Sequence, residues 1–266
     1  MFWYALLLKM AMTASIVVAA SVLVERSGPF IGALIASMPT AGGAAMIILA
    51  IEHSPAFVAE SAIGGMVSNV VCAAFALTYA ALAQRRSLPV SLAGAFVVWF
   101  AAAALSRGVA WTALPALLLN IAVLSATVWI GLRFRGGEGV KAKMILTGRD
   151  VAWRASVVTA VVITVTLMSH WIGSFASGLF AFFPVAMSSF FIILHSRVGG
   201  QAAASVAAHV QAPLFGLCLG LLFVHLCAES IGVWWSYLGG LCVGLVWNAM
   251  LWLIRHRRTR AISAAR

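Results

Sequence analysis

The chain has 266 residues, of which 64% are hydrophobic and 9% are charged, whereas soluble domains carry about 25% charged residues. This composition excludes a soluble globular domain. It favours an all-α integral membrane protein, because helices satisfy their own backbone hydrogen bonds in lipid. The formal net charge of +11 does not indicate a nucleic-acid partner, since the basic residues lie in short segments between apolar runs.

Apolar runs separated by short polar breaks predict nine transmembrane helices, each about 20 residues long. In chain order, these spans cover 3–24, 29–51, 56–83, 88–106, 109–132, 151–169, 173–196, 201–226 and 231–254. The break between the sixth and seventh spans is predicted as a turn at His170.

The basic residues indicate how the chain crosses the membrane. With nine spans, 15 of the 17 Lys and Arg residues fall on one side, and this side is cytoplasmic by the positive-inside rule. The sequence therefore predicts a multi-pass protein of the inner (plasma) membrane, with its N-terminus outside and its C-terminus in the cytoplasm.

One segment of the chain recurs 145 residues later. Residues 28–49 align without a gap to residues 173–194, and about nine of the 22 aligned positions are identical, including Pro39 with Pro184. Spans 1–4 then match spans 6–9, and span 5 has no partner. Five helices separate equivalent points, so the second unit is predicted to lie upside down relative to the first, as an inverted-topology repeat.

The domain boundaries follow from this repeat. We expect two four-helix units, at residues 1–108 and 151–254. Between them we expect a linker helix at 109–132 and a cytoplasmic loop at 133–150, and after them a basic cytoplasmic tail at 255–266.

Each unit follows the order basic residue, apolar helix, polar break, Gly-Leu-x-Ala-x-x-Pro-x-Ala and a further apolar helix, with Ala33 in place of the motif's glycine in the first unit. In the second unit these features are Arg154, His170, the segment 178–186 and Pro213. The pattern resembles the GlpM-type small bacterial inner-membrane proteins, whose biochemical activity is not established. The resemblance implies a fused, duplicated relative of a small membrane unit, and it implies no catalytic residues. The first unit departs from the pattern, with Asn69 near the position of Pro213.

Pro39 and Pro184 each lie about half-way along a span. A proline removes a backbone donor and frees a carbonyl, so the pair predicts two discontinuous helices whose second halves begin at Thr40 and Val185. Such half-helix ends bind substrates near the midplane of transporters. The alternative is two ordinary proline kinks packed by small residues. The candidate substrate-binding residues are Ser37, Pro39, Thr40, Pro184, Ser188, Ser189, His209 and Gln211.

Ionisable groups within spans are costly and therefore mark function. Glu60 and His209 are the candidates for coupling transport to protons, although each also has a structural interpretation, at the headgroups or bonded to a neighbouring helix. Asn69 and Asn120 are expected to join helices by hydrogen bonds.

These features favour a transporter or facilitator for a small neutral or anionic solute. The alternatives left open are a membrane accessory or assembly protein, and a lipid-handling membrane enzyme. No phosphate-binding loop or metalloprotease motif is present in the sequence, so we expect no enzymatic activity, cofactor or metal. The expected partners are the lipid bilayer and a small-molecule solute, and a homo-oligomer stays open.

Overall fold

The computed structural model describes Ser15, residues 40–135 and residues 147–264. Residues 40–135 and 147–264 form α-helices and turns, with no strand among them. The helices are α1 Thr40–Glu52, α2 Pro55–Ala83, α3 Leu88–Ser106, α4 Ala113–Gly131, α5 Gly148–Ala181, α6 Val185–Val198, α7 Gly200–His209, α8 Leu214–Cys227 and α9 Val233–Ala264. A short 3-10 helix, Leu132–Phe134, follows α4.

Five stretches of the described residues are apolar and long enough to cross a membrane. They are Pro55–Ala83, Leu88–Ser106, Ala113–Phe134, Gly148–Val198 and Val233–Arg257. A sixth is added if α7 and α8, which are bent by 41° at their junction, form one crossing. The all-helical class is confirmed, with helices compatible with membrane insertion. The first span, apart from Ser15, and residues 29–39 of the second span lie outside the described residues, so the number nine stays a prediction.

Helix α2 is the central helix of the described structure. Of its 29 residues, 20 are buried, and it packs against α3, α4, α5, α7 and α8. A helix that is apolar on all sides is expected to be buried on all sides. By contrast, α3, α4 and α9 expose large apolar side chains, among them Phe100, Leu118 and Val246, as lipid-facing helices do.

Hydrogen bonds give the direction of the helices that pack on α2. The His225 ring donates to the Ala59 carbonyl (2.9 Å), and the Gln211 side chain donates to the Ala73 carbonyl (3.2 Å). The earlier residue of α2 is thus paired with the later residue of the α7–α8 segment, so α7 and α8 run antiparallel to α2.

The end of α5 and all of α6 run parallel to α2. Ser61 donates to the Ser174 carbonyl (3.0 Å) near the start of α2, and Tyr79 is hydrogen-bonded to His195 (2.9 Å) near its end. Glycines allow close contact at this crossing. A Cβ atom on Gly178 would lie 1.8 Å from the Ser61 carbonyl oxygen, and one on Gly64 would lie 2.0 Å from that of Phe175.

The chain bends at a glycine within α5. The backbone is non-helical at Gly173, with φ 80° and ψ 172°, a region that favours glycine because it lacks a Cβ atom. The turn predicted at His170 is therefore misplaced, because the helix continues through His170 and bends three residues later.

Candidate functional site

The first helix break separates α5 from α6 and includes Pro184. Helix α5 ends at Ala181 and α6 begins at Val185, the position at which the sequence predicts the second half-helix. The break frees the Phe182 carbonyl, which accepts a hydrogen bond from the Cys72 thiol of α2 (3.2 Å). The Phe182 ring lies against Gly42 and Gly65, where a Cβ atom would come within 2.4 Å and 2.8 Å of it.

The second break separates α7 from α8, at residues 210–213, and was not predicted from the sequence. Gln211 lies in this break and is fully buried. Its side-chain amide donates to the carbonyls of Ala73 (3.2 Å) and Ala207 (3.4 Å). The sequence signal for a break here was Pro213 with Gln211 two residues before it. A polar side chain near a proline can hydrogen-bond backbone groups that the proline leaves without a helical partner.

The two breaks meet α2 at consecutive residues. Cys72 contacts the first break and Ala73 contacts the second, and both lie near the middle of α2. Non-helical backbone at membrane depth is tolerated where it is buried in protein or lines a cavity. The centre of α2 is thus the point where two interrupted helices come together.

Two buried asparagines lie close to these breaks. The Asn69 amide donates to the Asn120 side-chain oxygen (2.8 Å) and to the Leu214 carbonyl at the start of α8 (2.9 Å). Asn120 in turn donates to the carbonyls of Met66 and Ala116, at 2.8 Å each. The expected role of Asn69 and Asn120 in joining helices is seen directly in these contacts. The Asn69 Oδ1 and Gln211 Oε1 atoms are buried and have no hydrogen-bond partner among the described residues.

A cavity of 310 Å³ lies beside the breaks, between α1, α8 and α9. Its lining residues are Gly43, Ala44, Met46, Ile47, Phe182, Pro213, Gly216, Leu217, Gly220, Leu221, Val224, Tyr237, Gly240, Leu241, Gly244, Leu245 and Asn248. This lining includes a residue from each break, Phe182 and Pro213. Its polar side chains are Tyr237, whose hydroxyl donates to the Met46 carbonyl (2.7 Å), and Asn248. No charged side chain is among these lining residues.

The predicted serine ligands are used within their own helix. The Ser188 hydroxyl donates to the Pro184 carbonyl (2.6 Å), and the Ser189 hydroxyl donates to the Ala186 carbonyl (3.0 Å). Both residues are buried in α6. Ser37 and Pro39 lie outside the described residues, and of Thr40 only its place at the start of α1 is described.

The structure separates the two candidate coupling residues. His209 is buried at the end of α7, and its Nδ1 donates to the Ser205 carbonyl (2.7 Å). Glu60 is exposed near the start of α2 and accepts a hydrogen bond from Ser174. It precedes Ala73, the α2 contact of Gln211, by roughly 20 Å of helix length. Glu60 therefore belongs to the surface at one end of the bundle and not to the breaks.

A second polar cluster lies at that same end, formed by Glu52, His53 and His170. The His53 and His170 rings are 4.5 Å apart between centroids. Burial lowers the pKa of His53 below its usual value, and the neighbouring His170 acts in the same direction while Glu52 opposes both.

Comparison with known proteins gives one match. Residues 6–112 match the model of a family described as "Protein of unknown function (DUF3147)", which indicates an uncharacterised family and does not carry the GlpM name. A search of curated proteins and a search of solved structures each found no significant match. The matched range nearly coincides with the predicted first repeat unit, residues 1–108. The apolar helices indicate a membrane protein, and its residues 6–112 are similar to that family.

Proposed function

We propose that the chain is a transporter or facilitator that moves a small neutral solute across the inner membrane. The observation that carries this proposal is the meeting of two helix breaks on adjacent residues, Cys72 and Ala73, in the middle of α2. Interrupted helices that meet at the membrane midplane are the common construction of substrate sites in secondary transporters.

An inverted repeat is the second part of the proposal, and helix boundaries support it. Pro55 begins α2 and Gly200 begins α7, while Leu88 begins α3 and Val233 begins α9. Each pair is separated by the 145 residues that separate the repeated sequence segments. The family match to residues 6–112 also supports the first unit as a module with relatives of its own.

The Asn69 contact supports the inverted orientation. Asn69 donates to the carbonyl of Leu214, and the two residues are 145 positions apart, so each is the other's counterpart in the repeat. A residue meets its own counterpart only on a symmetry axis. The antiparallel packing of α2 on α7 and α8, its counterparts, agrees with an axis in the membrane plane.

The cavity favours one half of the molecule as the solute site. At the same offset, the lining residues Gly220 and Gly244 correspond to Phe75 and Trp99, both fully buried. The Phe75 ring stacks with Phe191 (6.3 Å), and Trp99 packs edge-on against Phe183 (4.7 Å). Aromatic rings thus occupy the positions in the first half that correspond to these glycines of the cavity lining.

The cavity also restricts the chemistry of the solute. Its volume of 310 Å³ is at the small end of the range for ligand pockets, about 300–1,000 Å³. An anion needs cationic or multiple amide partners, whereas the polar lining consists of Tyr237 and Asn248. Of the neutral and anionic solutes predicted from the sequence, neutral ones with an apolar part therefore fit better.

The test measures water access at Gly43, where a Cβ atom would have no neighbour within 4 Å. Gly43→Cys would be introduced after replacement of Cys72, Cys218, Cys227 and Cys242, with Cys72→Ser to keep a donor for Phe182. In proteoliposomes, we expect a membrane-impermeant thiol reagent to label this cysteine from at least one side. Uptake of a panel of radiolabelled polyols and amides would first show which solute the unlabelled protein transports. Labelling of the cysteine should block uptake of that solute.

Two control positions make the result interpretable. Leu118→Cys on the exposed face of α4 should resist the reagent in lipid, and Ser230→Cys in the turn after α8 should react readily. Protection of Gly43→Cys from both sides in folded protein, together with no uptake, would contradict transport and favour an accessory or assembly role. Turnover of added phospholipid without solute uptake would instead favour a lipid-handling enzyme.

A further inference from the structure

Glu52, His53 and His170 present a set of donors that suits a transition metal. One ligand atom from each residue lies within 4.8 Å of the other two. Glu52 ends α1, His53 follows it in the turn before α2, and His170 lies in α5. We propose that these three side chains bind a zinc-type divalent ion, which would join the α1–α2 turn to α5.

Hydrogen bonding and stacking hold the His53 ring in place and leave one of its nitrogens available to a metal ion. Its Nε2 lies 2.8 Å from the Ser169 hydroxyl oxygen, and that hydroxyl donates its own hydrogen to the Thr166 carbonyl (2.6 Å). Ser169 must therefore accept from Nε2–H, which leaves the lone pair of the neutral ring on Nδ1. Metal-binding histidines are oriented in this way by a hydrogen bond to the second ring nitrogen. Stacking on Phe57, with centroids 3.8 Å apart, fixes the ring plane.

The donor set indicates which ion binds. Two imidazoles and one carboxylate suit Zn²⁺ and related transition ions, whereas Mg²⁺ and Ca²⁺ take oxygen ligands. In a tetrahedral zinc site the ligand atoms are about 3.3 Å apart, so the present arrangement needs shifts of about 1 Å. His170 is exposed and Glu52 is half-buried, so both side chains have room to move. The fourth position would be taken by water.

The site bridges two parts of the chain that differ in sequence position by more than a hundred residues. Ser169 and His53 are 116 residues apart, and the helix bend at Gly173 follows His170 by less than one turn. A bound ion would hold the α1–α2 turn against the segment that leads into the bend. In the proposed topology this is the outer side, where metal ions in the surrounding medium reach the site directly.

The test is calorimetric titration of Zn²⁺ into the detergent-solubilised full-length protein, stripped with chelator and purified through a tag without histidine. We expect one zinc ion per chain. His170→Ala and Glu52→Gln should each weaken binding by more than about tenfold, and Ser169→Ala by at least about tenfold through loss of ring orientation. His170 is exposed, so its replacement leaves the fold intact, as size-exclusion chromatography would verify.

Matched controls separate this site from general zinc binding at the surface. Glu60→Gln removes a carboxylate at the same end of α2, and His256→Ala removes an imidazole from α9. Both variants should bind zinc as the unmodified protein does. Absence of stoichiometric binding in the unmodified protein, or unchanged binding by His170→Ala, would overturn the proposal.

Discussion

At the scale of single residues, the central feature is an amide network in an apolar interior. Asn69 and Asn120 have relative exposures of 1% and 0%. Asn69 donates to Asn120, and the two side chains together donate to three backbone carbonyls. Without such a contact, a polar side chain in lipid has no hydrogen-bond partner. The stability gained is modest, however, because these side chains also find partners in the unfolded state within the membrane. The network therefore fixes which helices pack together more than it adds to stability.

A double-mutant cycle of Asn69→Ala and Asn120→Ala measures this pair. Replacing Asn69 leaves the Asn120 oxygen without its donor, so we expect a coupling free energy of about 0.6 kcal/mol, and no more than about 1.7 kcal/mol. The measurement is unfolding in mixed detergent micelles. As a control, Asn69→Ala and Leu118→Ala, the latter on the lipid-exposed face of α4, should change the free energy of unfolding additively. If the two asparagine replacements are equally additive, the proposed network is contradicted.

The asparagines and the serines make different kinds of hydrogen bond. Asn69 and Asn120 join helices as expected, because a buried amide has few partners besides other helices. Ser188 and Ser189 were candidate ligands, but in an apolar helix the nearest acceptor is a carbonyl three or four residues back, and it takes the hydroxyl hydrogen. The cluster of Glu52, His53 and His170 could not be predicted from the sequence, since His170 is more than a hundred residues from the other two and no local pattern indicates their contact.

At the scale of elements, the contact of α2 with α5 depends on glycines. Gly64 and Gly178 let the two backbones touch, and a Cβ atom at either position would overlap a carbonyl oxygen of the other helix. Small residues in such crossings replace the hydrophobic effect, which does not drive helix association within lipid. Backbone atoms cannot move aside as a flexible side chain does.

Gly178→Ala should therefore destabilise the protein by at least about 3 kcal/mol, the upper end of the usual range for overpacking. Gly43→Ala is the matched control, because its Cβ atom meets no neighbour, and it should be neutral or gain up to about 1 kcal/mol of helix propensity. Melting temperatures in detergent provide the comparison. Equal melting of both variants would mean that the α2–α5 crossing is looser than described.

Helix breaks were partly predictable. Pro184 indicated the first break because proline in the middle of a span has no backbone donor. Pro213, which lies about half-way along the eighth span, received no such weight because the first unit has no matching proline and has Asn69 near that position. The bend at Gly173 was assigned to the polar residue His170, whereas backbone conformation, not polarity, determines where the chain turns.

At the scale of the whole molecule, the remaining expectation is the orientation in the membrane. Of 17 basic residues, 15 lie on the side predicted to be cytoplasmic, a bias that sets topology during insertion. A fluorescent protein fused after Arg266 should fluoresce, and alkaline phosphatase fused there should be inactive. Phosphatase fused at Ser230, in the turn after α8, should be active. Active phosphatase at Arg266 would mean that the topology is the reverse of the one proposed, and that the proposed zinc site faces the cytoplasm.

The central position of α2 has a consequence for synthesis of the protein. Its partner Asn120 follows Asn69 by 51 residues, and its partner Leu214 follows by 145. At about 5–20 residues per second, these contacts become available roughly 3–10 s and 7–29 s after Asn69 is made. Throughout that interval α2 must reside in lipid or beside the insertion machinery. Among the described helices, the one with the most neighbours therefore spends several seconds without its later partners, while the ribosome is still at work.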